Sequence, residues 1–280
     1  MYAIDFNYGG ISLSDFGFIV CDFDHSDGAT IAEAGSAIEF NKISCNNGKK
    51  WSLVNAKYND CIQTTFDICK DPDYSENGDL SISDDEYRDI ARWLNRKEFC
   101  KLFFIYDDPD NRDFRYYNAS FNLQKIKIAE TLCGIRLTME TDKPFGYGQE
   151  KKHVLDVVNT SATYEIKDMS DEIGILYPSV TIQCVESGNL TITNKDDING
   201  SSFICNTVIK NCSAGEIITF NGETGIIESS LISHDIANDF NYDFFKLSNS
   251  YKNRNNYLSF SIKCVFNLTY SPVVKDIPNI

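Results

Sequence analysis

From Leu258 to Tyr270 the apolar side chains take every second position: Leu258, Phe260, Ile262, Cys264, Phe266, Leu268 and Tyr270. Mostly polar residues fill the gaps, including Ser259, Ser261, Lys263, Asn267 and Thr269. Side chains alternate across a strand with a period of two, so residues 258–270 predict one half-buried strand in a β-sandwich edge pattern. An aromatic segment, 240–247, and an Asn-rich turn precede it.

Comparable signals run through the chain. In the first half, 61–69, 101–106, 116–123 and 135–140 are rich in β-branched and aromatic residues and predict strands. In the second half short strands are predicted at 163–167, 203–209, 217–220 and 225–228. The stretches 180–185 and 190–193 predict a pair joined through Ser187, Gly188 and Asn189. Short strands separated by turn signals indicate an antiparallel sandwich or jelly roll. One segment has a different period. Ser83 and Glu86 have the spacing of a capping box, and Tyr87, Ile90, Ala91 and Leu94, with Trp93 adjoining, recur at three- and four-residue steps. This predicts an amphipathic helix over 84–97. The polar loops at 71–79 and 107–113, the latter with Pro109, read as turns. A proline, two glycines and a run of charges at 143–152 mark a boundary, dividing the chain into domains 1–148 and 149–280.

Composition narrows the function. A chain of 280 residues is long enough for two cores, and 42% hydrophobic residues with 19 Phe and 15 Tyr exclude a disordered protein. The net charge of −15 is spread over both halves with no basic patch, which argues against binding nucleic acid or an anionic membrane. The start has neither a basic nor an apolar leader region, and no stretch approaches the length of a membrane span, so neither export nor membrane insertion is predicted. Ten cysteines occur without any CxxC spacing, and Cys184, Cys205 and Cys264 occupy apolar slots of alternating strands. They are expected as free thiols.

Candidate chemistry is sparse. His25, His153 and His234 are far apart and at no metal-ligand spacing, so each is expected as an isolated surface or loop residue. No nucleophile elbow, P-loop or dinucleotide fingerprint occurs. Asp71, Asp73, Ser75 and Asn77 alternate as in a calcium loop, but Glu76 stands where the glycine belongs and Ile82 where the closing glutamate belongs, so a solvated acidic loop is expected. Nothing marks a glycosidase pair among the 41 acidic residues. Tyr242, Tyr251 or Tyr257 could form a sugar-binding aromatic face, with core or interface packing as the plainer role. No catalytic, metal or cofactor residues are predicted.

Taken in order, several phrases resemble the distal tail proteins of long, non-contractile-tailed bacteriophages. The opening 6–20 carries Ser14-Asp15-Phe16-Gly17; the helix carries Arg92-Trp93-Leu94; and 134–147 closes on Asp142-Lys143-Pro144-Phe145-Gly146-Tyr147. Residues 177–182, 190–194 and the 215–227 hairpin resemble early sandwich strands of that family. Asp239-Phe240, Phe245-Lys246-Leu247, Asn255-Asn256 and Tyr270-Ser271-Pro272 resemble its close. The chain departs from the family in having no glycine over 249–263. The resemblance implies a mainly β, two-domain fold. Its N-terminal domain would be a tail-tube-like β-sandwich or barrel with one helix, and its C-terminal domain a galectin-like antiparallel β-sandwich. It further implies a structural, non-enzymatic virion protein at the tail tip, assembled in the host cytoplasm. The first domain would form a homohexameric ring between the tail tube protein and a tail-associated hub or lysin protein. The second would face a receptor-binding protein or host surface glycan. A carbohydrate-binding adhesin working through the second domain is the alternative.

Overall fold

The computed structural model describes residues 3–23, 37–74, 78–106, 115–200 and 202–276. The chain forms two compact units, the first comprising residues 1–148 with the chain from Val274 on, the second Gln149–Val273. Among the described residues no helix is long and apolar enough to cross a membrane.

The first unit contains β1 (Ala3–Tyr8), β2 (Ile11–Ser12), β3 (Phe18–Cys21), β4 (Ile38–Cys45), β5 (Lys50–Tyr58) and β6 (Gln63–Lys70). Helix α1 (Asp84–Leu94) follows, then β7 (Cys100–Tyr106), β8 (Tyr117–Ile128), β9 (Thr131–Thr141) and β10 (Gly146–Tyr147). Seven strands make one antiparallel sheet in the order β2-β1-β7-β8-β9-β6-β3. The ends of this sheet approach each other, with β1 near β3, so the unit curls as a barrel does. The predicted strands at 61–69, 101–106, 116–123 and 135–140 correspond to β6–β9. The last two run longer because Ala129 and Glu130, both at positive φ (46° and 70°), close them into a tight hairpin.

Helix α1 starts where the capping box places it. The Glu86 amide donates to Ser83 Oγ (3.3 Å) and the Ser83 amide to Glu86 Oε2 (2.7 Å). It ends at Leu94 rather than near Lys97, because Asn95 leaves the helical region (φ −81°, ψ 80°). Trp93 is the centre of its buried face. The indole stacks on Phe6 (5.6 Å between ring centroids) and Phe16 (4.8 Å) and donates to the Tyr8 carbonyl (3.1 Å). Phe66, Phe104 and Phe121 complete this aromatic core.

The second unit begins with β11 (Lys151–Val157), β12 (Tyr164–Lys167), β13 (Gly174–Leu176), β14 (Ser179–Cys184), β15 (Gly188–Lys195) and β16 (Cys205–Cys212). It continues with β17 (Ile217–Asn221), β18 (Ile226–Ser229), the single turn α2 (Ile236–Asp239), β19 (Leu247–Asn249), β20 (Asn255–Phe260) and β21 (Cys264–Tyr270); β22 (Val273–Val274) spans the point where the chain passes back to the first unit. A five-stranded sheet, β11-β21-β14-β17-β18, and a four-stranded sheet, β12-β20-β15-β16, share one core: a β-sandwich. Cys184, Cys205, Cys212 and Cys264 lie in it as small apolar groups.

The long strand expected at 258–270 is two strands. β20 lies in the four-stranded sheet and β21 in the five-stranded one, and both are central rather than edge strands. The chain crosses between sheets at 261–263 without changing parity, so every even residue from Asn256 to Tyr270 stays buried. Ser261 fixes the crossing: its hydroxyl donates to the Asn189 carbonyl (2.7 Å) and accepts from the Thr191 amide (2.7 Å). The pair expected at 180–185 and 190–193 is likewise separated, since β14 and β15 belong to different sheets. The preceding turn needs no glycine. Ser250 and Asn253 exchange backbone and side-chain hydrogen bonds, and no residue from 250 to 263 has positive φ.

Candidate functional site

The most exposed regular structure is the β4–β5 hairpin. The pair closes through Asn46, Asn47 and Gly48 at positive φ and carries a bulge beside Asn41 and Lys42. It pairs with no other strand among the described residues. Register places Ile38, Phe40, Lys42, Ser44, Trp51, Leu53, Ala56 and Tyr58 on one face. The other face carries the Glu39–Lys57 ion pair (3.1 Å) and the Asn41–Asn55 side-chain hydrogen bond (2.7 Å), with Ile43 its one large apolar residue by register. The hairpin is therefore amphipathic, yet its apolar face is open: Phe40 is 53% exposed, Trp51 64% and Leu53 57%, and none belongs to the core. Tyr58 anchors its base on Phe145 (6.4 Å). An isolated two-stranded ribbon is marginal in water, and an apolar face of this kind marks a contact surface.

Two of the three histidines fall in the described residues; His25 lies outside them. His153 stacks on Tyr270 (6.1 Å), and burial lowers its pKa. His234 is not an isolated loop residue. Its side chain is 4% exposed, with Nδ1 2.5 Å from Oε1 of the fully buried Glu216 and Nε2 3.4 Å from Asp239. Ser229 Oγ and the Ser213 amide also donate to Glu216 (2.5 and 2.8 Å). Burial opposes the charged imidazole, but the hydrogen bond and charge of Glu216 outweigh it and raise the His234 pKa. Burial likewise opposes the Glu216 carboxylate, and its hydrogen bonds from His234, Ser229 and Ser213 more than compensate, lowering its pKa. Ser213, Ser229 and His234 Nδ1 satisfy the Glu216 carboxylate, while His234 Nε2, facing Asp239, makes no hydrogen bond. They fasten the 229–239 segment to the start of β17. Sequence gives no sign of this cluster, since its members are scattered over thirteen to eighteen positions.

Of the acidic loop, Ser75, Glu76 and Asn77 lie outside the described residues, as does 107–113 with Pro109. Asp71 accepts from the Asp73 amide (2.9 Å) in a local turn, and no metal-binding group of three or more His, Cys, Asp or Glu occurs among the described residues. The tyrosines occupy different settings. Tyr242, at φ 59°, rests on Phe240 and donates to the Ala237 carbonyl (2.8 Å); Tyr251 is 88% exposed at a turn; Tyr257 is half-buried on β20. An open cleft of about 430 Å³ in the first unit is lined by Phe23, Gln124, Lys125, Ile126, Ile128 and Arg136, without carboxylate, histidine or thiol.

Two family models match the chain, one over each half. Residues 1–143 match the family described as "Phage tail protein N-terminal domain", and residues 145–270 match "Phage tail C-terminal domain". The chain belongs to this phage tail protein family. Among solved structures, the Dit protein of phage SPP1, described as "a Paradigm of Hub Adsorption Apparatus in Gram-positive Infecting Phages", superposes with a TM-score of 0.67 at 15% identity, covering 96% of this chain and 98% of that one. A chain of the phage P2 baseplate in its activated conformation gives a TM-score of 0.50 at 10% identity, covering 99% and 100%. At these identities the likeness is one of fold: this phage tail protein has a Dit-like fold. No curated protein sequence matches the chain.

Proposed function

We propose that this phage tail protein is a structural component of the tail-tip hub that joins copies of itself into a closed ring, homohexameric as in the resemblance above, without catalytic activity. The open apolar face of the β4–β5 hairpin carries this reading. In a cyclic assembly each subunit offers two different complementary patches. A hairpin projecting its apolar face is one such patch, and the sheet edge of a neighbouring copy is a natural second. The ring would link the tail tube protein to a tail-associated hub or lysin protein. The second domain, read as a galectin-like sandwich, would face outward toward a receptor-binding protein or the host surface. The Glu216–His234 cluster is buried and holds its own segment in place, which supports a structural rather than enzymatic role.

Light scattering on the purified full chain, with negative-stain electron microscopy, tests the ring. Ring-sized mass and closed particles are expected at high concentration. A strictly monomeric protein without rings would overturn the reading. The adhesin alternative draws on one observation: the loops bearing Ile198, Phe203 and Tyr251, each more than 60% exposed, adjoin through the Asn253 side chain and the Asp196 carbonyl. Silence of the full chain across an array of cell-wall glycans removes it.

A further inference from the structure

Strand β3 is the last strand of the seven-stranded sheet, and it ends on a cysteine. In its pairing with β6, Ile19 lies opposite Cys69 and Cys21 opposite Asp67. Residues directly opposite share a face, and so do residues two apart on one strand. Cys21 and Cys69 therefore stand diagonally on the same face. That face is the outer one, because Phe66 and Ile68, which alternate with Asp67 and Cys69, point into the core. Both thiols are partly exposed, and each is the other's leading electrostatic neighbour. Two residues further on, the Phe23 ring lies over Gly134, which pairs with Cys69, so the end of β3 is held against this face.

We propose that Cys21 and Cys69 are a disulfide-forming pair, oxidised by low-molecular-weight disulfides when the protein leaves a reducing compartment, and that the bond ties edge strand β3 to β6. Either thiol can open the exchange; with Cys69 first, Cys21 is the resolving thiol. The Cys69 thiolate attacks one sulfur of the small disulfide and expels a small thiolate, which takes up a proton. Cys21 then loses its proton to solvent and attacks the Cys69 sulfur of the mixed disulfide, expelling the second small thiol. Two protein thiols and one small disulfide thus become one protein disulfide and two small thiols. The buried cysteines provide an internal contrast. Cys184 and Cys264 are direct partners across β14 and β21, and Cys212 lies in the same core, but all three are at most 3% exposed. Proximity without access leaves them reduced.

The test is incubation of the folded full chain with oxidised glutathione, alkylation, proteolysis and mass spectrometry, with a dithiothreitol-treated control. A linked Cys21–Cys69 peptide pair, lighter by two hydrogens than the separate peptides, is expected, with Cys184, Cys212 and Cys264 alkylated only after denaturation. The Cys21→Ser variant should instead accumulate glutathione on Cys69, because the second displacement has no nucleophile. Wild-type protein that accumulates the same adduct, or that yields no linked pair, overturns the proposal, as does preferential linkage within the buried trio.

Discussion

Replacing Phe40 and Trp51 together by serine separates assembly from folding. Aromatic side chains bury about 150–250 Å² each when fully covered. Phe40 and Trp51 are 53% and 64% exposed in the monomer, so roughly 100 Å² on each remains for a partner to cover. At about 25 cal/mol per Å² the pair contributes up to about 5 kcal/mol of gross stabilisation per interface, or about three and a half decades in affinity. The monomer loses little. Neither side chain is in the core, and exposed substitutions of this kind change stability by about 0.5 kcal/mol or less. Sedimentation velocity should therefore show the assembled species shifted to monomer, while thermal unfolding of the monomer stays within a few degrees. The matched control is Glu39→Ser with Lys57→Ser on the opposite face. Its exposed ion pair is expected to contribute under about 1 kcal/mol. The reasoning is refuted if assembly survives the aromatic double variant, or if the control dissociates it equally.

Phe266 is fully buried between Phe245 (5.3 Å) and Phe260 (5.2 Å), so Phe266→Ala should cost about 3–5 kcal/mol in urea unfolding; a loss under 1 kcal/mol would contradict the packing. Ser83→Ala removes the cap of α1 and should lower stability by about 1 kcal/mol, read as a small drop in melting temperature. The Glu216–His234 pair should give stability a pH window. The raised His234 pKa contributes fully below its ordinary value of 6.5 and is lost as pH rises through the folded value. The lowered Glu216 pKa contributes above its ordinary 4.5 and is lost as pH falls through its folded value. Glu216→Gln should flatten the alkaline limb, and a melting-temperature profile unchanged there would exclude the pair as its cause. Closing the roughly fifty-residue Cys21–Cys69 loop should raise stability by up to about 4 kcal/mol, seen as a higher melting temperature for oxidised protein that dithiothreitol reverses.

What the sequence makes legible here is parity, and parity does not specify partners. Even positions from 256 to 270 face inward throughout, so a periodicity of two describes β20 and β21 equally well as one strand or as two. The deciding contacts are the Ser261 hydroxyl on Asn189 and Thr191 and the Lys263 amide on Glu186 (3.1 Å), all to residues about seventy positions away. Local signals fared better wherever the physics is local, as at the Ser83–Glu86 cap, which closes within one turn. The β4–β5 hairpin sits between these cases. Its Asn46-Asn47-Gly48 turn is a local signal, but the bulge at Val54, opposite the Asn41–Lys42 step, shifts the alternation midway along β5, so apolar and polar positions exchange register there. Among the described residues Phe40, Trp51 and Leu53 on its apolar face join neither core. An element whose apolar face stays outside the core is the kind that single-chain patterning describes least well, and for the same reason it is where the proposed assembly is best tested.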